Sequence, residues 1–151
     1  MKISVSQIKK LREETGAPIM RVKKIIEEVK DEKKALEILK KEGFEKALER
    51  KDRKVSQGLV VVYEHHSGKV ASIVELLCET DFVARNKLFK DLAHDLALQV
   101  ASMNPQSKEE LENQDFIKDS SKKVSDLIKE VIAKTGENIC LGRFCRIEVG
   151  K

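Results

Sequence analysis

From Gly58 to Glu79 the chain runs apolar and β-branched on both sides of a short turn, and this stretch limits the possible folds more than any other. Gly58 to Glu64 (GLVVVYE) and Lys69 to Glu79 (KVASIVELLCE) flank His65-His66-Ser67-Gly68, the pattern of a β-hairpin. Side chains alternate along a strand, so Leu59, Val61 and Tyr63 share one face and Val60 and Val62 the other, while Ile73 and Leu77 oppose Val74 and Leu76. A sheet covered by helices on one side only would show polar residues on its free side. The second face therefore calls for a partner chain, and a symmetric homodimer packed sheet on sheet is the economical way to supply one.

The rest of the chain reads as helices around this hairpin. Ser4-x-x-Gln7 has capping-box spacing, with Val5, Ile8 and Leu11 expected on one helical face before Gly16 stops the turn. Pro18 suits the start of a second helix carrying Val22, Ile25, Ile26 and Val29. Asp31 can cap a third, with Ala35, Leu36, Ile38 and Leu39, expected to stop at Gly43. Glu45 to Lys54 (EKALERKDRK) reads as an exposed helical extension or hinge, which places a boundary between residues 1-54 and 55-151. Beyond the hairpin, Asn86 to Ser102 has a broad apolar helical face ended by Asn104-Pro105. A second long helix carries Val124, Leu127, Ile128, Val131 and Ile132 up to Gly136, and Gly142 to Val149 closes with a strand. The order β-β-α-α-β predicts an α+β layer arrangement following a three-helix bundle.

Charge and chemistry narrow the function. Residues 1 to 54 hold 17 basic and 11 acidic side chains, and residues 55 to 151 hold 13 and 15. The basic N-terminal part could meet an acidic protein surface or nucleic acid, but there is no Trp and only one Tyr, so base stacking is not supported and no direct nucleic-acid partner is expected. No apolar run approaches the roughly 18 residues of a membrane span, and Met1-Lys2-Ile3-Ser4 carries no apolar signal region, so no membrane partner and a cytoplasmic location are expected. Cys78, Cys140 and Cys145 form no CxxC pair; reduced thiols without a metal are expected, Cys78 and Cys145 as small buried residues on strand faces. Cys145 and Ile147, which share a strand face, are candidates for the dimer interface.

The histidines fall in a turn (His65, His66) and in mid-helix (His94), with no plausible catalytic Ser or Cys nucleophile among their neighbours, and no glycine-rich phosphate loop is present, so neither an enzyme nor a cofactor is expected. Cys78 to Asn86 is the stretch that composition explains least, because Phe82 and Val83 are large apolar residues where a strand gives way to a helix. They are either buried locally or presented to another protein.

Thr80-Asp81-Phe82-Val83-Ala84-Arg85-Asn86 resembles the TDFVA(K/R)N signature of translation elongation factor Ts. Ile8 to Met20 (IKKLREETGAPIM) is similar to that family's LREKTGAGMM motif, and Lys23-Lys24 to its KKAL start. Gly136-Glu137-Asn138-Ile139 and Arg143-Phe144 resemble its closing GENI and RF strand. Pro18-Ile19 replaces the usual Gly-Met, and Arg21-Val22 the usual Asp-Cys.

The resemblance implies a ubiquitin-associated-like three-helix domain, a linker, and a single core unit of three antiparallel strands with helices that works as a dimer. It implies guanine-nucleotide exchange on elongation factor Tu, with Thr80, Asp81, Phe82 and Val83 meeting its GTPase domain and Phe82 acting as a wedge. Leu11, Thr15, Gly16, Ile19 and Met20 would dock the N-terminal helices on the same domain. Two other classes stand beside this reading: an adaptor for ubiquitin-like or nascent-chain partners, and a basic nucleic-acid-associated protein.

Overall fold

In a computed structural model, described for residues 3–151, α1 (Val5–Thr15) begins at the expected cap. Met1 and Lys2 of the opening tetrapeptide lie outside the described residues. The Ser4 hydroxyl accepts the Gln7 N–H at 3.2 Å, and Gln7 Oε1 accepts the Ser4 N–H at 3.0 Å. Gly16 ends α1 in the left-handed conformation, and α2 (Ile19–Val29) follows Pro18. Leu11, Val22, Ile25, Ile26, Ala35 and Leu39 form the buried centre of the three helices. Val5 departs from its expected stripe: it projects into solvent from the first turn.

The third helix also differs from expectation. α3 (Glu32–Glu49) starts at Asp31, whose carboxylate accepts the Lys34 N–H at 3.0 Å, but it runs through Gly43 for a further six residues. Glu45, Lys46, Ala47, Leu48 and Glu49 are good helix formers that carry the hydrogen-bond ladder past the glycine. Gly43 serves packing: a Cβ there would stand 3.1 Å from the Ala133 Cβ on a neighbouring helix. Ala47, near the end of α3, belongs to the second apolar cluster, so this one helix touches both.

The second cluster lies between a sheet and helices. β1 (Gln57–Glu64) and β2 (Val70–Cys78) form the hairpin around the histidine turn, where His65 Nδ1 meets Ser67 Oγ at 2.8 Å. After α4 (Asp81–Ala84) comes the long α5 (Lys87–Met103), laid across β1 and β2 with Phe89, Leu92, Ala93, Leu96, Ala97 and Val100 buried. The Ser72 hydroxyl, buried in β2, donates to the Ala97 carbonyl and ties sheet to helix.

Between α5 and the next long helix lie three elements without a sequence expectation: α6 (Lys108–Asn113), β3 (Asp115–Phe116) and β4 (Asp119–Lys123). They have few apolar residues and so no readable period. Leu111 and Phe116 are buried, and polar contacts complete the attachment. Gln99, fully buried in α5, donates to Gln114 Oε1 at 3.2 Å and the Asp115 carbonyl at 3.1 Å, and accepts the Ile117 N–H at 2.9 Å. After α7 (Val124–Thr135), β5 (Ile139–Glu148) pairs antiparallel with β2, giving the order β1-β2-β5 and the expected α+β fold.

One face of the sheet meets α5. The other exposes Val60, Val62, Ile73, Cys145 and Ile147, the last at 72%. Cys145 is thus an exposed residue of the open face rather than a buried one, because β5 turns that side chain away from α5. Among the described residues no helix is long and apolar enough to cross a membrane.

Candidate functional site

At the end of β2 the chain makes two helix starts in quick succession. Thr80 caps α4, its hydroxyl accepting the Val83 N–H at 3.4 Å. Six residues later Asn86 caps α5, its Oδ1 accepting the Leu88 N–H at 2.8 Å. The chain therefore turns once at α4, stops, and starts again in a new direction. Successive residues on a helix point about 100° apart, so one turn divides its side chains between inside and outside. Val83 and Ala84 go into the second cluster, while Phe82 stands 79% exposed.

Of the four signature residues expected to face a partner, only Asp81 and Phe82 are placed to do so. Val83 is an anchor, buried because it is the inward position of α4. The Thr80 side chain is committed within the chain, donating to Glu137 Oε2 at 2.7 Å while its N–H donates to Oε1 at 2.9 Å. Asp81 pairs with Arg85 one turn on at 3.0 Å, with both side chains half exposed or more.

The loop between α7 and β5 holds the α4 turn from behind. Glu137 takes both polar hydrogens of Thr80, and in return the Asn138 N–H donates to Glu79 Oε1 at 2.7 Å. The buried Asn138 amide donates to the Lys51 and Arg53 carbonyls at 3.2 and 2.8 Å, tying in the segment after α3. Directly beneath, Cys78 pairs with Ile139 in the sheet, and its thiol donates to the Thr80 carbonyl at 3.1 Å. Burial, followed by the nearby Glu137 carboxylate, pushes the Cys78 thiol up to about 11, so it is a packing group and not a nucleophile. Glu79, Glu137 and Asn138 were given no individual roles by sequence reasoning. Their partners lie 57 to 87 residues away, and only the GEN tripeptide marked the place.

The N-terminal candidates divide similarly. Leu11 is 1% exposed at the centre of the bundle, and Thr15 is buried with its hydroxyl donating to the Leu11 carbonyl at 2.6 Å, so both pack the fold and neither side chain can meet a partner. Gly16 lies against the end of α7, where a Cβ would come within 2.7 Å of the Lys134 Cα, and its positive φ further disfavours a side chain. Ile19 and Met20, at the start of α2, remain open, Met20 at 75% exposure. The end of α7 joins the two sets: Lys134 touches the α1–α2 turn, and Glu137 grips Thr80. Arg50 reinforces the junction by donating to the Ile132 carbonyl at 3.3 Å.

This geometry stands beside three likenesses to known proteins. The family model described as Elongation factor TS matches residues 79–151, which include the α4 turn, the loop behind it and β5. Elongation factor Ts of Thermotoga maritima is 40% identical in an alignment of 195 positions covering 100% of this chain and 98% of the relative. Since this chain has 151 residues, at least 44 of those positions have no counterpart here. Elongation factor Ts of Leptospira biflexa is 38% identical over 99% of both chains, and that of Oleidesulfovibrio alaskensis is 36% identical over 98% of both. The chain belongs to the elongation factor Ts family, which places its work in translation elongation.

Proposed function

We propose that this protein is a guanine-nucleotide exchange factor that speeds GDP release from elongation factor Tu in the cytoplasm, by binding and without covalent chemistry of its own. The observation that carries this reading is Phe82: a large apolar ring held 79% exposed on a turn fixed by the Thr80 cap and by buried Val83 and Ala84. Burying such a ring releases roughly 1.5–3 kcal/mol, so a partner that opens a slot for it is stabilised in the open form. Exchange requires this kind of coupling, in which each tenfold loss of nucleotide affinity corresponds to about 1.4 kcal/mol of factor binding. Asp81, beside Phe82, brings a carboxylate to the polar surroundings of the nucleotide.

Ile19 and Met20 provide a second grip, with the three helices acting as a ubiquitin-associated-like docking unit. The open sheet face, with Cys145 and Ile147 upon it, is the seam of a homodimer, and sheet-on-sheet packing there would bury the side chains left in water. The test is to mix the protein with elongation factor Tu loaded with fluorescent GDP. Faster release at substoichiometric amounts is expected, and an unchanged release rate would reject the proposal.

A further inference from the structure

The GEN loop does more than start β5. We infer that Glu137 is a positioning residue for exchange: by receiving both the N–H and the hydroxyl of Thr80, it sets the orientation of the turn that presents Phe82. This inference rests on the wedge reading of Phe82 and concerns a residue that does not itself touch the partner.

The argument begins with the shortness of α4. Four residues make a single helical turn, too few to hold a helical geometry unaided. Val83 and Ala84 anchor its inner side in the core, but the start of the turn depends on Thr80. A threonine hydroxyl has one hydrogen and can accept through its oxygen. Here the hydrogen goes to Glu137 Oε2 at 2.7 Å, which leaves the oxygen facing the Val83 N–H as the cap. The second carboxylate oxygen takes the Thr80 N–H at 2.9 Å, so the residue is held at two points by one side chain.

The reverse contact, from the Asn138 N–H to Glu79, closes a reciprocal clasp across the ends of β2 and β5. Without Glu137 the backbone N–H of Thr80 would turn to water and its hydroxyl would be free to rotate. The turn would then sample other orientations of Phe82, and apparent affinity falls in proportion to the fraction of molecules in the competent one.

Glu137→Ala is expected to lower exchange efficiency on elongation factor Tu about tenfold. Glu137→Gln, which keeps one acceptor at the same reach, is expected to recover to within about threefold of the parent. In protein labelled with 4-fluorophenylalanine, the resonance assigned to position 82 should shift and broaden in Glu137→Ala before any partner is added, with partial return in Glu137→Gln. A parental exchange rate in Glu137→Ala overturns the role. So does a loss that Glu137→Gln fails to relieve while the fluorine signal stays parental, the signature of general destabilisation. If Glu137→Ala does not fold, the Glu137→Gln fluorine spectrum and rate decide alone, intermediate values supporting the role and parental values in both rejecting it. Phe82→Ala, assayed alongside, separates the two readings. A parental rate there rejects the wedge itself, whereas a slow Phe82→Ala beside a parental Glu137→Ala rejects only the positioning role.

Discussion

Phe82 and the open face of the sheet both hold apolar carbon in water, and they do so in opposite ways. Phe82 is a single ring at a point, raised on a short turn clasped by Glu137 and underlain by the core. The sheet face is broad: Val62, Ile73 and Cys145 lie side by side across three strands, and Ile147 lies two residues further along β5. A point can enter a gap in a partner and alter it. A broad apolar face can only be covered, and a second copy would offer the same surface in return.

Thiol chemistry should show the largest difference between the regions. Cys78, beneath the Phe82 turn, is only about one part in a thousand thiolate at pH 8, given a thiol pushed up to about 11. Cys145 lies exposed on the sheet face. A thiol reagent at pH 8 and high dilution should label Cys145 at least about 100-fold faster than Cys78. If the sheet face is a dimer seam, that labelling will slow as protein concentration rises, and labelling independent of concentration would break the comparison.

Next in size is Ile73→Lys, which places a charge at the centre of the sheet face, between Val62 and Cys145. A two-fold seam meets the substitution twice, so dimerisation should weaken about 100-fold by sedimentation equilibrium while the monomer keeps its circular dichroism. Phe82→Ala should lower exchange about 30-fold or more, the scale of an interface hot spot, with little change in melting temperature because most of the residue's surface is already in water in the free protein. A large fall in melting temperature would instead assign Phe82 to local packing. The smallest effect expected is from Met20→Ala, about threefold in the half-saturating concentration at unchanged maximal rate, since the exposed Met20 is proposed as a grip apart from the wedge.

Local signals made most of the fold legible. Ser4 with Gln7, Gly16 and Asp31 terminate helices through contacts within four residues, and the hairpin follows from β-branched runs around a short turn. Gly43 misled because a glycine read as a stop can equally be a packing gap, and only the position of Ala133 distinguishes the two. The hairpin at residues 115–123 was hidden because it offers a single buried apolar residue, Phe116, and is otherwise tied by a buried amide, Gln99, and hydropathy does not reveal where an amide points. At the site, Phe82 was legible as an oddity and its exposure follows from the cap at Thr80. Leu11, Thr15 and Val83 were grouped with it by motif, yet the motifs mix exposed residues with buried ones that pack the fold.

The unbroken course of α3 has a further consequence. Its 18 residues span about 27 Å at 1.5 Å each, with Leu39 in the first cluster and Ala47 in the second. The relation between the two clusters is therefore a matter of helical phase. Inserting one residue between Leu39 and Ala47 would advance the bundle by only about 1.5 Å but rotate it by about 100° around the helix axis, carrying Ile19 and Met20 to another side of the molecule. Variation in the length of this helix should be tolerated only near whole turns, in steps of three or four residues.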